Sequence, residues 1–329
     1  MDIKSNNKYS FIQKMIHKTI LGSKYFKKLS FKFEKSIFLK SIDNNESSHV
    51  FIIGLARSGT TLILNGLHNS GIFASLTYND MPFPLAPNFW ALLNKINQNI
   101  SPAERIHRDG IMVDNNSPES FEEVFWSTFE NNNEMENFNQ FISIVLNKNK
   151  KDRYLSKNNQ SIRRIQKISQ YLQNYIVFIP FRDPLQQCLS LNKQHTRFIK
   201  MQNEDQFIAD YMNLTGHREF GSTYKPFFPD SMKYDNYHEI NHWLEQWYCV
   251  YKDILNISQD DNSLYLVCYE KLCEDAATWK NLLLKAEINI NVTIDAKSPK
   301  KHDEDFEFID KDLLKNCHEL YHDMVNKSL

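Results

Sequence analysis

The chain has 329 residues, with 39 Lys and Arg against 40 Asp and Glu, and a formal net charge of -1 at pH 7. This balance excludes a globally basic nucleic-acid-binding protein, so any anion site must be local. Hydrophobic residues at 41%, with only 8 Gly and 10 Pro, exclude a fibrous or loop-dominated chain and indicate a folded domain with a substantial core.

The cysteines and the N-terminal residues indicate the cellular compartment of the protein. Five cysteines at irregular spacing form no CxxC pair and no zinc-type set with histidine, which indicates reduced thiols. No apolar run has the length of a membrane span, and the first residues lack the apolar block and cleavage site of a secretory signal. We therefore expect a cytoplasmic protein.

The first 40 residues differ from the rest in charge: they hold ten lysines and two acids, with apolar side chains interleaved. A basic amphipathic segment can lie on an anionic membrane surface, which would place the protein peripherally at the inner face of the membrane. It can equally pack its apolar side on the domain with its lysines in solvent. We treat residues 1–47 as a separate basic amphipathic segment.

The first buried strand follows. Val50-Phe51-Ile52-Ile53 is a continuous apolar run that ends at Gly54, as a buried parallel strand would. Leu55-Ala56-Arg57-Ser58-Gly59-Thr60-Thr61 comes next, and residues 62–67 suit a helix. A strand, a tight glycine loop and a helix in this order are typical of the opening of a nucleotide-binding α/β domain.

Two further apolar runs, 175–180 and 264–268, predict buried strands. The pattern predicts a P-loop-like three-layer α/β domain, with a central, mainly parallel sheet and helices on both faces. No linker divides it, so residues 48–329 form one domain with helical insertions. Helical character is predicted for residues 119–130, 136–147, 161–174, 184–200 and 239–257.

The glycine spacing from Gly54 to Gly59 matches a P-loop, GxxxxGK[ST], except that Thr60 replaces the lysine. Backbone N–H groups and the dipole of the following helix still aim at one anion, and Arg57 adds a positive fork. The lysine that bridges triphosphates is missing, and no strand ends in a clear Walker-B aspartate, which points away from ATP or GTP. The alternative is a plain glycine turn with capping threonines.

Gly-x-x-Arg-Ser-Gly-Thr-Thr-Leu after an apolar strand resembles the 5′-phosphosulfate loop of sulfotransferases that use 3′-phosphoadenosine-5′-phosphosulfate (PAPS). It is closest to the bacterial, Golgi carbohydrate and tyrosylprotein branches. The resemblance implies sulfuryl transfer from PAPS to a hydroxyl of an acceptor, a glycan or glycolipid, with adenosine 3′,5′-bisphosphate as product and no required metal. It assigns cofactor binding to Arg57, Ser58, Gly59, Thr60 and Thr61.

The same family binds the 3′-phosphate with an Arg at a strand end and a Ser eight residues later. Arg182 and Ser190 have this spacing here, and Pro184 suits a helix start between them. The alternative is an ion pair of Arg182 with Asp183 and a surface serine. Residues 269–272, Tyr-Glu-Lys-Leu, resemble a further family segment. The family's Arg-Lys-Gly loop is absent, and Lys300 and Lys301 either replace its charge or lie in a solvated tail.

The resemblance also implies catalytic roles. Arg57 would stabilise the charge on the leaving oxygen, and a carboxylate about twenty residues later would accept the acceptor's proton. Asp80 is the carboxylate in that region, although an aspartate there also suits a turn cap before Pro82. The other candidates for the base are Glu119, Glu122, Glu123 and His107.

The acceptor is only weakly encoded. Aromatic side chains such as Trp243, Trp247 and Tyr248 would stack on sugar rings, but at helical spacing they also suit a core. Two rival functions stay open: a P-loop kinase-like phosphotransferase, and a non-catalytic assembly protein built on a sulfotransferase fold.

Overall fold

A computed structural model describes residues 11–39, 47–94, 103–104, 111–130, 133–296 and 308–329. The strands are β1 (His49–Ile52), β2 (Phe73–Ala74), β3 (Ala103–Glu104), β4 (Met112–Val113), β5 (Arg153–Lys157), β6 (Tyr175–Phe181) and β7 (Leu264–Cys268). The helices are α1 (Phe11–Gly22), α2 (Lys24–Phe38), α3 (Thr60–Asn69), α4 (Pro87–Leu93), α5 (Glu122–Phe129), α6 (Glu134–Asn149), α7 (Ile165–Tyr171), α8 (Pro184–Glu204), α9 (Gln206–Thr215), α10 (Ile240–Ser258), α11 (Tyr269–Glu274), α12 (Ala276–Lys285) and α13 (Lys311–Lys327).

The main sheet has the strand order β2-β5-β1-β6-β7, and every neighbouring pair in it is parallel. A separate antiparallel pair joins β3 and β4. From β1 the chain first builds β2 and β5 on one side and then crosses to β6 and β7 on the other. The strand order therefore reverses at β1, and α/β sheets bind ligands at the carboxyl ends of the strands beside such a reversal.

Two hydrophobic cores cover the two faces of the sheet. Phe51 packs among side chains of α5, α6, α8 and α10, whereas Val50 and Ile52 pack against α3 and α12. All three side chains are fully buried because adjacent residues of a central strand point to opposite faces. The predicted three-layer α/β architecture is confirmed.

The predicted strands at 50–53, 175–180 and 264–268 correspond to β1, β6 and β7. Four of the predicted helical stretches correspond to α5, α6, α8 and α10, and the stretch 161–174 contains a 3₁₀ turn followed by α7. Sequence analysis did not predict strand β5, because its sequence, RYLSK, is largely polar. In the structure all five of its residues are buried. The Arg153 guanidinium donates to Ala286 O at 2.8 Å and stacks on the Phe73 ring, which makes its burial possible.

The N-terminal helices pack on the domain through specific polar contacts. Glu34 of α2 is fully buried and accepts hydrogen bonds from the backbone N–H groups of Asn88 and Phe89, at the start of α4. Lys18 of α1 pairs with Asp210 of α9 at 3.2 Å. Among the described helices, none is both long and apolar enough to cross a membrane.

Candidate active site

The loop between β1 and α3 has a backbone that depends on its glycines. Gly59 has a φ of 93°, and a Cβ there would lie 2.5 Å from the Tyr269 ring. A Cβ on Gly54 would lie 2.8 Å from the carbonyl oxygen of Pro180. Ser58 is fully buried and donates its hydroxyl to Leu55 O at 2.8 Å, so it braces the loop from within. The loop therefore enters α3 with the geometry of an anion cradle.

Buried side chains from two helices hold the loop from beneath. Gln187 of α8 donates from Nε2 to Ala56 O at 3.0 Å, and Trp247 of α10 donates to Gln187 Oε1 at 3.0 Å. Tyr251 of α10 donates to Pro180 O at 3.0 Å. A polar chain of this kind fixes the loop before any ligand binds. No sequence motif marks these residues, because their partners are distant in the chain.

Arg57 and Ser190 are in direct contact: Arg57 Nε donates to Ser190 Oγ at 3.0 Å. Arg57 has a φ of 70°, which lies in the left-handed region that residues other than glycine seldom adopt. Ser190 lies in the second turn of α8 and is almost fully buried. The structure thus brings together two predicted cofactor-binding residues that the sequence assigned to two separate anion sites.

Arg182 follows β6 and lies beside the segment that begins α11. Its guanidinium lies 5.3 Å from the centroid of the Tyr269 ring, and its Nε is 3.8 Å from Glu270 Oε1. Burial raises the pKa of Tyr269 to about 12, so this ring is a neutral phenol under ordinary conditions. Asp183 instead caps α8 by accepting a hydrogen bond from Gln186 N at 2.9 Å.

A cleft opens next to the loop, at the carboxyl edge of the sheet. Its walls combine loop and helix residues Arg57, Thr60 and Thr61 with charged and polar side chains from other parts of the chain. Cations and carboxylates therefore face one another beside the glycine loop. The additional polar lining residues are Glu119, Lys157, Asn159, His217 and Glu219.

Lys157 and Asn159 show why this cleft is polar. Lys157 is the last residue of β5 and is almost fully buried, and Asn159 begins the 3₁₀ turn that follows. They reach the cleft because β5 is the parallel neighbour of β1, so both strands end at the same edge. Sequence analysis missed both residues because it missed β5.

Asp80 has the contacts of a structural residue. Its Oδ2 accepts hydrogen bonds from Thr77 N at 2.8 Å and from Thr77 Oγ1 at 3.2 Å, which is a capping box. Its Oδ1 forms an ion pair with Lys148 of α6. The carboxyl group is 1% exposed and is not part of the cleft wall. This geometry favours the turn-cap interpretation of Asp80 over a role in proton transfer.

The other acidic candidates also differ in position. Glu122 is buried and accepts hydrogen bonds from Trp126 and Tyr154. Glu123 forms a bidentate ion pair with Arg164. Glu119 does reach the cleft, where it accepts from the Tyr78 hydroxyl at 3.0 Å and from Ser120 N at 2.8 Å. His107, Lys300 and Lys301 lie outside the described residues.

His217 and Glu219 lie side by side in the cleft, and sequence analysis singled out neither of them. His217 Nδ1 lies 3.6 Å from Glu219 Oε2. Burial lowers the pKa of His217, but Glu219, and then Glu119, outweigh it and raise this pKa above its ordinary value. Burial likewise acts to raise the pKa of Glu219, yet His217 and Lys157 hold it below its ordinary value.

A parallel sheet with a glycine loop at its central strand, and with cationic side chains around that loop, defines a P-loop-like α/β fold whose loop is suited to an anionic group. A sequence model described as the sulfotransferase family matches residues 49–217, just over half of the chain. The chain belongs to the sulfotransferase family, and it is a sulfotransferase. A comparison with curated proteins finds no significant match.

Two solved sulfotransferase structures are similar to this chain. The chain is similar to sulfotransferase STF1 from Mycobacterium tuberculosis H37Rv, with a TM-score of 0.52 and 10% identity, over 87% of this chain and 80% of that one. It is also similar to sulfotransferase STF9 from Mycobacterium avium, with a TM-score of 0.48 and 10% identity, over 97% of this chain and 79% of that one. At 10% identity, the likeness to STF1 shows the fold alone.

Proposed function

We propose that this sulfotransferase uses PAPS as its donor and transfers the sulfuryl group to a hydroxyl of a glycan or glycolipid, releasing adenosine 3′,5′-bisphosphate. The observation that carries the donor assignment is the contact between Arg57 and Ser190, with Arg182 close to the same loop through Tyr269. The guanidinium groups of Arg57 and Arg182 and the N-terminus of α3 therefore lie close to the same loop. A nucleotide with anionic groups at both its 5′ and 3′ positions suits that arrangement.

The roles follow from where each group lies. Backbone N–H groups at the start of α3 and the Arg57 guanidinium would bind the 5′-phosphosulfate, because Arg57, Thr60 and Thr61 line the cleft. Arg182 and Ser190 would bind the 3′-phosphate. In an in-line transfer, negative charge moves onto the leaving phosphate oxygen, and Arg57 would stabilise that charge.

The acceptor class is proposed from the chemistry of the cleft. Its wall presents carboxylate, amide and imidazole groups and a single aromatic ring, Phe220. Such a wall matches the many hydroxyl groups of a sugar better than it matches a flat phenol. The aromatic candidates Trp243 and Trp247 are fully buried in the core, so they do not form a stacking platform.

We also propose that the enzyme is cytoplasmic and binds the anionic inner face of the membrane through α1 and α2. Helix α2 buries Lys27 and Glu34 while exposing an apolar stripe at four-residue spacing. Of the seventeen large apolar side chains exposed in the described residues, nine lie on these two helices. Lysines flank the stripe, which suits an anionic lipid surface. The exposed stripe of α2 consists of Tyr25, Phe26, Leu29, Phe33 and Ile37.

Vesicle sedimentation tests this location. We expect the enzyme to bind vesicles that contain phosphatidylglycerol and to stay unbound with phosphatidylcholine alone, and Leu29→Asp with Phe33→Asp should abolish binding. The matched control is Leu284→Asp, which changes an exposed apolar residue on α12. The parent enzyme could instead fail to bind anionic vesicles and sediment as a dimer that Leu29→Asp with Phe33→Asp dissociates. In that case a second copy of the chain covers the stripe, and the membrane proposal fails.

The catalytic proposal is tested with PAPS carrying a radiolabelled sulfuryl group, offered with a panel of glycan, glycolipid and tyrosine-peptide acceptors. We expect label on a carbohydrate acceptor, and we expect none with Arg57→Ala. Transfer to tyrosine peptides alone would overturn the acceptor class. Thermal stabilisation by ATP with Mg²⁺, but none by adenosine 3′,5′-bisphosphate, would overturn the donor and favour a phosphotransferase.

A further inference from the structure

We propose that His217, oriented by Glu219, is the general base that accepts the proton of the acceptor hydroxyl, and that Asn159 binds a neighbouring hydroxyl. This inference rests on the proposed sulfuryl transfer, and it names the residues that serve the acceptor side of the cleft. It moves the role of the base away from Asp80, whose carboxylate is occupied by Thr77 and Lys148.

The backbone holds His217 firmly at the cleft wall. Helix α9 ends at Gly216, which has a φ of 79°, and a Cβ there would lie 2.2 Å from Glu123 Cγ. His217 N donates to Met212 O at 2.9 Å, and its carbonyl oxygen accepts from Thr223 Oγ1 at 3.2 Å. A glycine is therefore required to turn the chain so that the imidazole reaches the cleft.

Two buried acceptor atoms in the cleft accept no hydrogen bond of ordinary length from the described residues. One is Asn159 Oδ1, in a residue that is 3% exposed, and the other is Glu219 Oε2, which lies 3.6 Å from His217 Nδ1 and belongs to a residue that is 7% exposed. Buried polar atoms without partners are costly, so such atoms in a cleft indicate groups that a substrate satisfies. Asn159 Oδ1 would accept from a hydroxyl of the acceptor.

Glu219 Oε2 has a different role. His217 Nδ1 lies at an ion-pair distance of 3.6 Å from this oxygen. With the Nδ1–H facing Glu219, the other ring nitrogen, Nε2, carries the lone pair that can accept a proton. When Nε2 takes the proton, the imidazolium gains from the carboxylate behind it, and the long contact can shorten to a hydrogen bond.

Glu119 is the other carboxylate in the cleft, and it is a weaker candidate. Its two oxygens already accept hydrogen bonds from the Tyr78 hydroxyl and from Ser120 N. Donors to a carboxylate stabilise its charged form and make it a poorer proton acceptor. The His217 imidazole has the Glu219 carboxylate beside Nδ1.

The transfer step exchanges one bond to sulfur for another. The acceptor oxygen forms a bond to sulfur while its proton passes to His217 Nε2. The bond between sulfur and the bridging phosphate oxygen breaks, and its electron pair stays on that oxygen. The product nucleotide, adenosine 3′,5′-bisphosphate, leaves with the charge that Arg57 stabilises, and His217 later releases its proton to solvent.

The value of kcat should decrease at low pH. A base acts when it is neutral, so kcat should fall as the pH drops through the pKa of His217. Glu219 and Glu119 raise this pKa, whereas Lys157 lowers it, and Arg57 adds a further positive charge to the same cleft wall. Glu219→Gln removes the negative charge that raises the pKa of His217. The acidic limb of the kcat profile should therefore move to lower pH.

The experiment compares His217→Gln, Glu219→Gln and Glu119→Gln by kcat, pH profile and thermal stabilisation with adenosine 3′,5′-bisphosphate. We expect His217→Gln to lose about 100-fold or more in kcat, with unchanged nucleotide stabilisation. The control His322→Gln changes an exposed histidine of α13 and should match the parent enzyme. Unchanged stabilisation in each variant shows that a loss of rate is not a loss of folding.

The outcomes separate this inference from the proposed function. If His217→Gln keeps the parent kcat while Glu119→Gln loses it, Glu119 is the base and the inference is overturned. An acidic limb that does not move in Glu219→Gln would also overturn the pairing. If the parent enzyme neither binds the bisphosphate nor transfers label from PAPS, the proposed function itself fails.

Discussion

Arg57, in the loop after β1, and Ser190, in α8, are joined by a hydrogen bond of 3.0 Å from Nε to Oγ, although 133 residues separate them. The contact links the ends of two neighbouring parallel strands, β1 and β6, across the point where the strand order reverses. A doubly phosphorylated nucleotide bound here would therefore meet side chains that are already ordered, and little reorganisation energy would oppose its binding.

Ser190→Ala should weaken the binding of adenosine 3′,5′-bisphosphate much more than that of AMP. A hydrogen bond to a charged group contributes about 1.5–3 kcal/mol, so the Kd of the bisphosphate should rise about tenfold or more. Thermal shift at several ligand concentrations measures both constants by linkage. Ser169→Ala, in α7, is the control, and equal weakening of the two nucleotides would remove Ser190 from the 3′-phosphate site.

Arg57→Lys should keep the positive charge but lose the fork that reaches both the leaving oxygen and Ser190. We expect kcat to fall by about 100-fold to 1000-fold, because lysine does not reproduce a directed bidentate contact. Steady-state kinetics with a fixed acceptor measures the loss. A change confined to KM for the donor would instead assign Arg57 to ground-state binding only.

Gly59→Ala should prevent donor binding, because the added methyl group meets the Tyr269 ring at 2.5 Å as well as a φ of 93°. Gly71→Ala is a matched control: Gly71 also has a positive φ, of 70°, but a Cβ there meets nothing within 4 Å. Both variants should lose about 1 kcal/mol of stability from backbone strain. Only Gly59→Ala should lose nucleotide-induced stabilisation, and equal losses would show that strain alone matters.

Asp80→Asn should destabilise the protein without slowing the chemical step. Asp80 is buried, and removing its charge leaves Lys148 without its partner, which costs about 3 kcal/mol by analogy with other buried ion pairs. Chemical denaturation measures the loss, and kcat per folded enzyme should match the parent. A large fall in kcat, with stability preserved, would return the role of the base to Asp80.

The double variant Asp80→Asn with Lys148→Met isolates the ion pair from the capping box. If the pair accounts for the loss, the double variant should recover part of it, because no unpaired charge is left buried. The hydrogen bond from Thr77 N to Asp80 should survive in the asparagine variant, since its side-chain oxygen is also an acceptor. A purely additive result would show that the loss in Asp80→Asn does not come from the ion pair with Lys148.

Local patterns in the chain were enough to predict the fold class and the glycine loop between β1 and α3. The apolar runs of β1, β6 and β7, and the glycine spacing around Arg57, are readable because each lies within about ten residues and obeys simple periodicity. The interval between Arg182 and Ser190 is equally short, and their role in binding a 3′-phosphate stays a prediction. Family membership follows from these short signals, and the sequence match over residues 49–217 confirms it.

Only the tertiary structure decided which charged groups meet in the cleft. Lys157 lies on a strand whose composition is polar, and His217 follows a helix far along the chain, so neither carries a local signal. They converge because parallel strands end at one edge of the sheet and because Gly216 turns the chain toward it. Asp80, in turn, forms a capping box with Thr77 and an ion pair with Lys148. A side chain's neighbours set its chemistry, and those neighbours come from long-range packing.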